Sequence, residues 1–245
     1  MRNIKMILEY DGKRYHGWQR QGDMATIQKV LEESISTITQ EDIRVMGSGR
    51  TDAGVHAISQ VANFMTSSNI EVRNLLNGIN SLLPLDVVVK ELIETDKDFH
   101  ARYNAKCKVY LYQIYNRPVR SVLYRHNAWF IREPLDIGRM KEAALLLKGT
   151  FDFSSFCAAN CGIKSHIRTV KNINIEMNHR GMMKICIEAD GFLKYMVRNI
   201  VGTLVDVGKR KISVTELTGI MEAKDRRRAG ITAPAHGLFL KEVRY

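Results

Sequence analysis

Apolar and polar positions alternate along the first hundred residues in two periods, one typical of strands and one typical of helices. Val61, Asn63 and Met65 point to one face of a predicted strand, and helical spacing continues after Thr26, a residue suited to cap a helix. A second helix is predicted to end before Pro84. Strands are predicted at residues 4–10, 43–47, 58–65 and 87–93, and helices at residues 27–38 and 75–83. The order is β-α-β-β-α-β, the split βαβ or ferredoxin-like arrangement.

A similar order recurs in the second half of the chain. It begins with an aromatic strand at residues 107–115, in which Tyr110 and Tyr112 share a face. Helices are then predicted at residues 140–147, 192–207 and 214–221, and strands at residues 167–177, 182–189 and 238–243. We therefore expect an α+β protein with two tandem ferredoxin-like domains, residues 1–104 and 105–245. Their extended mixed or antiparallel sheet would be flanked by helices, with a basic central cleft.

Composition adds a preference for a polyanionic partner. The chain has 245 residues, 45% of them hydrophobic and 26% charged, which is typical of a folded protein with room for two cores. Lys and Arg number 37 against 26 Asp and Glu, a formal net charge of +11. Such an excess attracts nucleic acid because each phosphate contact releases bound counterions. The charge does not distinguish RNA from DNA.

Cysteine usage and the N-terminal residues favour a cytoplasmic protein. Residues 1–6 interleave charged with apolar side chains and lack the apolar core of a signal peptide, and no apolar run is long enough to span a membrane. Four cysteines do not make a disulfide framework for a chain of this size. Cys157, Cys161 and His166 invite a zinc interpretation, but their spacing is not that of a zinc site. We therefore expect no metal site.

The stretch from Gly47 to His56 combines three glycines, Arg50 and a carboxylate, Asp52, between two predicted strands. Glycine allows a ligand to approach the backbone closely. A tight turn in which Asp52 makes a local hydrogen bond is the alternative. Asp beside Gly is common in turns, which favours the turn, whereas the length of the loop and its Arg-Thr-Asp centre exceed what a hairpin turn requires. Both interpretations stay open at this point.

Aromatic and basic residues alternate in a second stretch, from Phe99 to Tyr103, and again from Lys108 to Tyr112. Rings beside cations suit unstacked bases and phosphates. Ordinary strand packing of Tyr110 and Tyr112 explains the second part of the pattern equally well.

Two arginine-bearing segments near the end of the chain leave two interpretations open. Arg198 lies beside the apolar stripe of a predicted helix, on the face that carries Tyr195 and Gly202. It is either solvated or part of a site, and the small Gly202 would let a neighbouring strand or an RNA backbone approach. The run Arg226–Arg228 is either a phosphate contact or the polar exit from a helix.

Taken in order, these segments resemble the tRNA pseudouridine synthase A family, often called TruA. The resemblance extends over nearly the whole chain, and each motif alone would be weak. The matching motifs are Glu9–Gly12, Gly17–Arg20, Gly49–His56, Asp98–Arg102, Asp152–Phe156, Met196–Gly202 and Gly237–Leu240. Residues 157–165 match no motif of the family.

The resemblance implies a homodimer that isomerises uridine to pseudouridine in the anticodon stem-loop of tRNA, at positions 38, 39 and 40, without a cofactor. It implies that Asp52 is the nucleophile, that Tyr110 contacts the substrate, that Arg50 lies near the flipped base and that Arg198 pairs with the nucleophile. Attack on the ribose, attack on the uracil ring and a glycal-type elimination all remain open. The residues expected to bind substrate are Arg50, His56, Arg102, Tyr110, Arg227 and Arg228.

Two other functions are compatible with parts of the pattern. A non-catalytic tRNA-binding or RNA-folding protein of the same architecture would not need a carboxylate in the Gly-rich loop. A base deaminase would need zinc ligands in H-x-E and P-C-x-x-C motifs, which the sequence lacks.

Overall fold

The computed structural model describes residues 1–159 and 162–245. Contacts divide the chain into two compact units, Met1–Lys106 with Phe239–Tyr245, and Cys107–Leu238. Ten strands and five α-helices lie in the described residues, so the expected mixed α and β fold class is confirmed. The last seven residues group with the first unit, although the repeat in the sequence pattern assigned them to the second.

The first unit contains a sheet in the order β4-β1-β3-β10, with β2 paired to β3. Its strands are β1 (Arg2–Tyr10), β2 (Met46–Gly47), β3 (His56–Thr66), β4 (Val87–Thr95) and β10 (Leu238–Arg244), and its helices are α1 (Ile27–Thr39) and α2 (Val72–Leu82). β1 is antiparallel to β3 and β4, whereas β10 is parallel to β3. This parallel pairing explains why the end of the chain belongs to the first unit.

Helices and sheet of the first unit bury their apolar faces against each other. Met6 of β1, Leu31 of α1 and Ile79 of α2 are fully buried, as the periodicity predicts. The Oγ1 atom of Thr26 accepts the Lys29 N–H at 3.3 Å, which confirms the predicted helix cap.

The predicted strand at residues 43–47 is a strand only over its last two residues. Ile43 and Val45 are buried, but their N–H groups donate to side chains of α1, to Ser36 Oγ at 3.2 Å and to Glu32 Oε1 at 3.1 Å. Helix side chains thus replace the strand partner that the pattern predicted.

The second unit contains an antiparallel sheet in the order β5-β9-β8-β7, with β6 parallel to β5. Its strands are β5 (Cys107–Asn116), β6 (Trp129–Ile131), β7 (Gly149–Asp152), β8 (Ile167–Met177) and β9 (Met182–Ala189), and its helices are α3 (Ile137–Leu146), α4 (Met196–Gly208) and α5 (Glu216–Ala223). Strands β8 and β9 begin and end at the predicted residues, and their antiparallel pairing confirms the predicted hairpin.

Helix α4 starts four residues later than the apolar pattern predicts, at Met196 instead of Phe192. Tyr195 has a φ of 64°, a left-handed conformation that an α-helix does not contain. The apolar spacing continues through this turn because Leu193 is buried as well, and spacing alone therefore places the helix start too early.

Candidate active site

The Gly-rich loop leaves the sheet of the first unit at Gly47 and returns at His56. The edge of β3 that faces away from β1 pairs with β2 at Ala62 and Asn63, and with β10 at His56 and Ala57. The loop runs between these two short pairings, so the sheet fixes both of its ends.

Buried hydrogen bonds hold the first part of the loop. Ser48 N–H donates to Val61 O at 2.7 Å, and Ser48 Oγ donates to Gln60 Oε1 at 2.6 Å. Gln60 Nε2 in turn donates to Gly49 O at 3.0 Å. Both side chains are fully buried, and breaking such a bond would leave a buried polar group unsatisfied. The backbone that leads to Arg50 is therefore held in place.

Thr51 anchors the residue next to Asp52. Its Oγ1 lies 2.8 Å from the Tyr10 hydroxyl, and its carbonyl accepts the Trp18 N–H at 3.0 Å. Burial raises the pKa of Tyr10, an effect that the Thr51 hydrogen bond opposes only in part, so this hydroxyl is protonated at neutral pH. Gly17, at a φ of 90°, lies so close that a Cβ atom there would be 2.5 Å from Thr51 O.

A tight turn follows Asp52. Val55 N–H donates to Asp52 O at 3.1 Å, and Gly54 within the turn has a φ of 76°, which favours glycine. Gly54 N–H also reaches Tyr15 O at 3.3 Å. A tight turn is therefore present, closed by the backbone carbonyl of Asp52, and it presents the half-buried Asp52 side chain on a fixed backbone.

His56 closes the loop from the interior of the first unit. Its side chain is 4% exposed and its ring stacks on Phe239, with 4.7 Å between centroids. Nδ1 lies 3.2 Å from the Gly12 amide and 3.0 Å from Asp11 Oδ1. A single ring nitrogen either accepts from the amide or, when protonated, donates to the carboxylate. One loop thus carries three of the predicted residues, with Arg50 exposed, Asp52 half-buried and His56 buried.

The stretch from Phe99 to Tyr103 is held by two buried asparagines. Asn3 Nδ2 donates to Phe99 O at 2.8 Å, and Asn63 Oδ1 accepts the Ala101 N–H at 2.9 Å. This leaves Arg102 exposed, with its guanidinium 5.8 Å from the centre of the exposed Tyr103 ring. A cation and an aromatic face are presented together on a fixed backbone, as the RNA-binding interpretation requires.

The two tyrosines of β5 differ in their surroundings. Tyr112 is fully buried, its hydroxyl donates to Pro234 O at 2.8 Å, and burial raises its pKa. Tyr110 is 7% exposed and meets Phe192 edge-on, with 4.9 Å between ring centroids. Strand packing therefore accounts fully for Tyr112, whereas Tyr110 lies beside the segment that leads into α4.

Arg198 is half-buried on the first turn of α4. Its Nε donates to Ala233 O at 2.7 Å, and its guanidinium lies 4.9 Å from the Tyr195 ring centre. One turn further along the helix, a Cβ atom on Gly202 would come within 1.7 Å of Ile231 O. The expectation that Gly202 permits a close approach is confirmed, and the approaching segment is the one that holds Arg198.

The basic run after α5 separates into residues with different surroundings. The guanidinium of Arg226 is partly buried and donates to Ala229 O at 3.2 Å and to Thr232 Oγ1 at 2.9 Å. Arg227 forms a 2.7 Å ion pair with Asp225 and holds the pKa of that carboxyl at about 2. Arg228 is exposed. Arg226 thus supports local structure, and the charge of Arg227 is partly offset.

Pattern reasoning assigned no role to three residues that support the loop, although Glu9–Gly12 and Gly17–Arg20 were recognised as motifs. They are Tyr10, Gly17 and Trp18. The Trp18 ring packs so closely on Gly47 that a Cβ atom added to Gly47 would lie 2.5 Å from the ring. The sequence did contain a signal for their role. Aromatic residues stand beside glycines directly after the first strand, and glycine often marks a place where another backbone approaches closely.

Among residues 1–159 and 162–245, no group of three or more His, Cys, Asp or Glu side chains is arranged to hold a metal ion. Cys161, one of the residues considered for zinc, lies outside these residues. No helix in the described part of the chain is long and apolar enough to cross a membrane.

Comparison with known proteins gives consistent matches along the chain. A family model for tRNA pseudouridine synthase matches residues 6–104 and 143–245. A protein of Acetivibrio thermocellus named tRNA pseudouridine synthase A is 46% identical over 245 residues, covering 100% of both chains. Clostridium tetani has two similar proteins, tRNA pseudouridine synthase A 1 at 47% identity and tRNA pseudouridine synthase A 2 at 42%, each over 246 residues and at least 99% of both chains.

Proposed function

This chain belongs to the tRNA pseudouridine synthase A family, and we propose that it modifies uridines 38, 39 and 40 of the tRNA anticodon stem-loop with Asp52 as nucleophile. Membership makes it an isomerase that forms pseudouridine in tRNA, which sets aside the non-catalytic and deaminase alternatives. The target positions and the residue roles are the proposed part.

The proposal rests on the contacts by which the first unit fixes the backbone around Asp52. Its side chain is half-buried, and the backbone on both sides is fixed through Thr51 and Val55. A nucleophile works best when its position is set before the substrate arrives. A loop needed only to connect two strands would not require this many buried hydrogen bonds.

The chemistry needs a carboxylate and no external reagent. The target nucleotide must leave the stem, at a cost of a few kcal/mol. Asp52 then attacks the ribose or the uracil ring, or promotes elimination to a glycal. The N1–C1′ bond breaks, the uracil turns, C5 bonds to C1′, the C5 proton leaves, and N1 takes up a proton. Atoms and charge balance without an oxidant or a second substrate.

Two residues of the second unit complete the proposed reaction. Arg198 would keep Asp52 ionised, since a nearby positive charge lowers the pKa of a carboxyl group. Its half-buried guanidinium, held by Ala233 and lying over Tyr195, is restricted in the way that such a role requires. Tyr110 would stack on the uracil and accept the C5 proton.

The remaining predicted residues differ in how exposed their side chains are, and we assign their roles accordingly. We propose that Arg50, Arg102 and Arg228 contact RNA, because all three are exposed. His56 is buried against Phe239, so we propose that it positions the loop without touching RNA. Arg227 is a weaker phosphate contact, because it already pairs with Asp225. A homodimer and a cytoplasmic location stay predictions.

Mapping pseudouridine in unmodified tRNA after incubation with the purified protein tests the target positions. We expect pseudouridine at positions 38, 39 and 40 wherever those positions hold uridine, whatever bases flank them. Modification confined to another arm of the tRNA would overturn the positional proposal and leave the family assignment intact.

A further inference from the structure

Five exposed arginines lie at the end of β5 and form a surface that the reaction does not use. We call them the β5-end arginine cluster. Its members are Arg117, Arg120, Arg125, Arg132 and Arg180. None of them belongs to the site residues discussed above.

Backbone and side-chain contacts bring the cluster together within the second unit. Arg117 Nε donates to Arg180 O at 3.1 Å, and the same guanidinium also donates to His179 O, in the turn between β8 and β9. Arg117 N–H donates to Ile131 O at 3.3 Å, next to Arg132. A Cβ atom on Gly181 would lie 2.4 Å from Arg117 Nε. The side chain of Arg117 is thus packed tightly onto the turn.

The segment that carries Arg120 and Arg125 folds back onto β5. Gln113 Nε2 donates to Asn127 O at 3.0 Å, and the Tyr115 and Tyr124 rings lie 5.4 Å apart. These contacts fix both arginines near the same end of the strand.

In the part of the chain that the structure describes, the cluster lacks carboxylate partners, in contrast to several other basic residues of the second unit. Among the described residues, none of its five arginines forms an ion pair. Elsewhere in this unit, Lys209 pairs with Glu133, Arg210 with Asp136, Lys224 with Asp152 and Arg227 with Asp225. Five like charges held together cost free energy in the absence of a counter-charge. Such an arrangement favours a polyanionic partner.

We infer that the β5-end arginine cluster binds the phosphate backbone of tRNA outside the anticodon stem-loop. Arg117 directly follows β5 and lies seven residues beyond Tyr110, about 23 Å in an extended strand, so the cluster is distant from the residue proposed to stack on the uracil. The inference rests on the tRNA substrate of the proposed function. Arginine matches phosphate oxygens through two parallel hydrogen bonds, and backbone contacts position an RNA without reading its bases. The rings of Tyr124 and the exposed Phe130 lie beside Tyr115 near the same end of β5, where they could contact bases or sugars.

A second copy of the chain is the other partner to consider, because Val119, Val122 and Leu123 are exposed in the same segment. In a symmetric contact the same patch faces itself. The five arginines of one copy would then approach those of the other, so RNA is the partner that the charges favour.

Charge reversal tests the inference. The cluster variant carries Arg120→Glu, Arg132→Glu and Arg180→Glu. A matched control carries Arg44→Glu, Arg73→Glu and Lys171→Glu, which are also exposed and change the net charge equally. A lysine version of the cluster variant keeps the charge and checks folding. Each is measured for affinity to full-length tRNA and to an isolated anticodon stem-loop over a salt series, and for oligomeric state.

The cluster variant should bind full-length tRNA at least about tenfold more weakly than the control at 0.15 M salt, and its salt slope should be about 2 to 3 units shallower than that of the unaltered protein. Affinity for the isolated stem-loop should match that of the control. The lysine version should bind full-length tRNA more tightly than the cluster variant and less tightly than the unaltered protein, because lysine keeps the charge but not the paired hydrogen bonds.

The inference would be overturned if the cluster variant and the control lost the same affinity for full-length tRNA. It would also be overturned if the cluster variant lost as much affinity for the isolated stem-loop as for full-length tRNA. Dissociation of an oligomer in the cluster variant alone would assign the surface to a second copy instead. Failure of the unaltered protein to form pseudouridine would refute the proposed function, while the affinity measurements would still decide the role of the cluster.

Discussion

The hydroxyl of Tyr10 lies 2.8 Å from Thr51 Oγ1, one residue before the proposed nucleophile. Neither group needs to touch RNA to matter, because together they fix the backbone from which Asp52 projects. Their roles were not predictable from spacing, since Tyr10 is separated from Thr51 by a whole helix and a strand. The sequence signalled only that a tyrosine ends the first strand.

Tyr10→Phe should therefore slow the reaction without weakening substrate binding. Loss of the hydrogen bond should lower the free energy of unfolding by about 1 kcal/mol and kcat by about tenfold, since misplacement of a reacting group is costly. KM for tRNA should stay unchanged. Tyr124→Phe is the control, with unchanged kcat. Steady-state kinetics that show a raised KM at full kcat would contradict a positioning role for Tyr10.

Tyr110→Phe should separate stacking from proton transfer. The ring is retained and the hydroxyl is lost, so tRNA affinity should change little while turnover slows. Tyr112→Phe is the matched variant, because its hydroxyl binds Pro234. It should lower the free energy of unfolding by about 1 kcal/mol and change turnover less than Tyr110→Phe does. Unchanged turnover in Tyr110→Phe would leave the tyrosine as a stacking surface only.

At the scale of elements, the position of Arg198 depends on how closely the segment around Ile231 approaches α4. Gly202→Ala would place a Cβ atom 1.7 Å from Ile231 O and should lower the free energy of unfolding by about 2 kcal/mol. Gly219→Ala in α5, with nothing within 4 Å of the added atom, should raise it by about 0.5 kcal/mol. Thermal and denaturant unfolding measure both. Equal effects of the two substitutions would show that this approach is not tight.

The turn after α5 gives a prediction for pH. Arg227 lowers the pKa of Asp225 to about 2, so the favourable contribution of this pair is present above about pH 4 and is lost as the pH falls toward 2. Arg227→Gln should raise the pKa of Asp225 toward its ordinary value, measured by NMR titration. Arg228→Gln should weaken tRNA binding more than Arg227→Gln, because Arg227 already has a partner. A carboxyl that still titrates near pH 2 in Arg227→Gln would exclude the Arg227 side chain as the cause.

Periodicity predicted most helices and strands because their apolar faces pack against one another within each unit. It was wrong where a local contact competes with the pattern. Ile43 and Val45 have strand-like alternation, yet their N–H groups bind α1 side chains. The apolar stripe of α4 extends back to Leu193, but the left-handed Tyr195 delays the start of the helix. Neither effect is visible in residue spacing.

At the scale of the whole molecule, net charge indicated a polyanionic partner but not the surface that binds it. Three basic groups lie in the second unit, around Arg117, Lys209 and Arg226. Lys209 and Arg210 pair with acidic side chains and Arg226 is partly buried, whereas the group that includes Arg117 has no carboxylate partner among the described residues. Ion pairing between distant residues, which a sequence does not reveal, therefore distinguishes the group around Arg117 from the group around Lys209.

Release of tritium from tRNA labelled at uracil C5 tests the central claim most directly, because the C5 hydrogen leaves only if C5 becomes bonded to the sugar. Under single-turnover conditions, Asp52→Asn should release tritium at least about a thousandfold more slowly than the unaltered protein, with nearly unchanged tRNA affinity. Asp23→Asn, at an exposed aspartate of the same unit, should react at the normal rate. Release at a near-normal rate by Asp52→Asn would show that Asp52 is not the nucleophile.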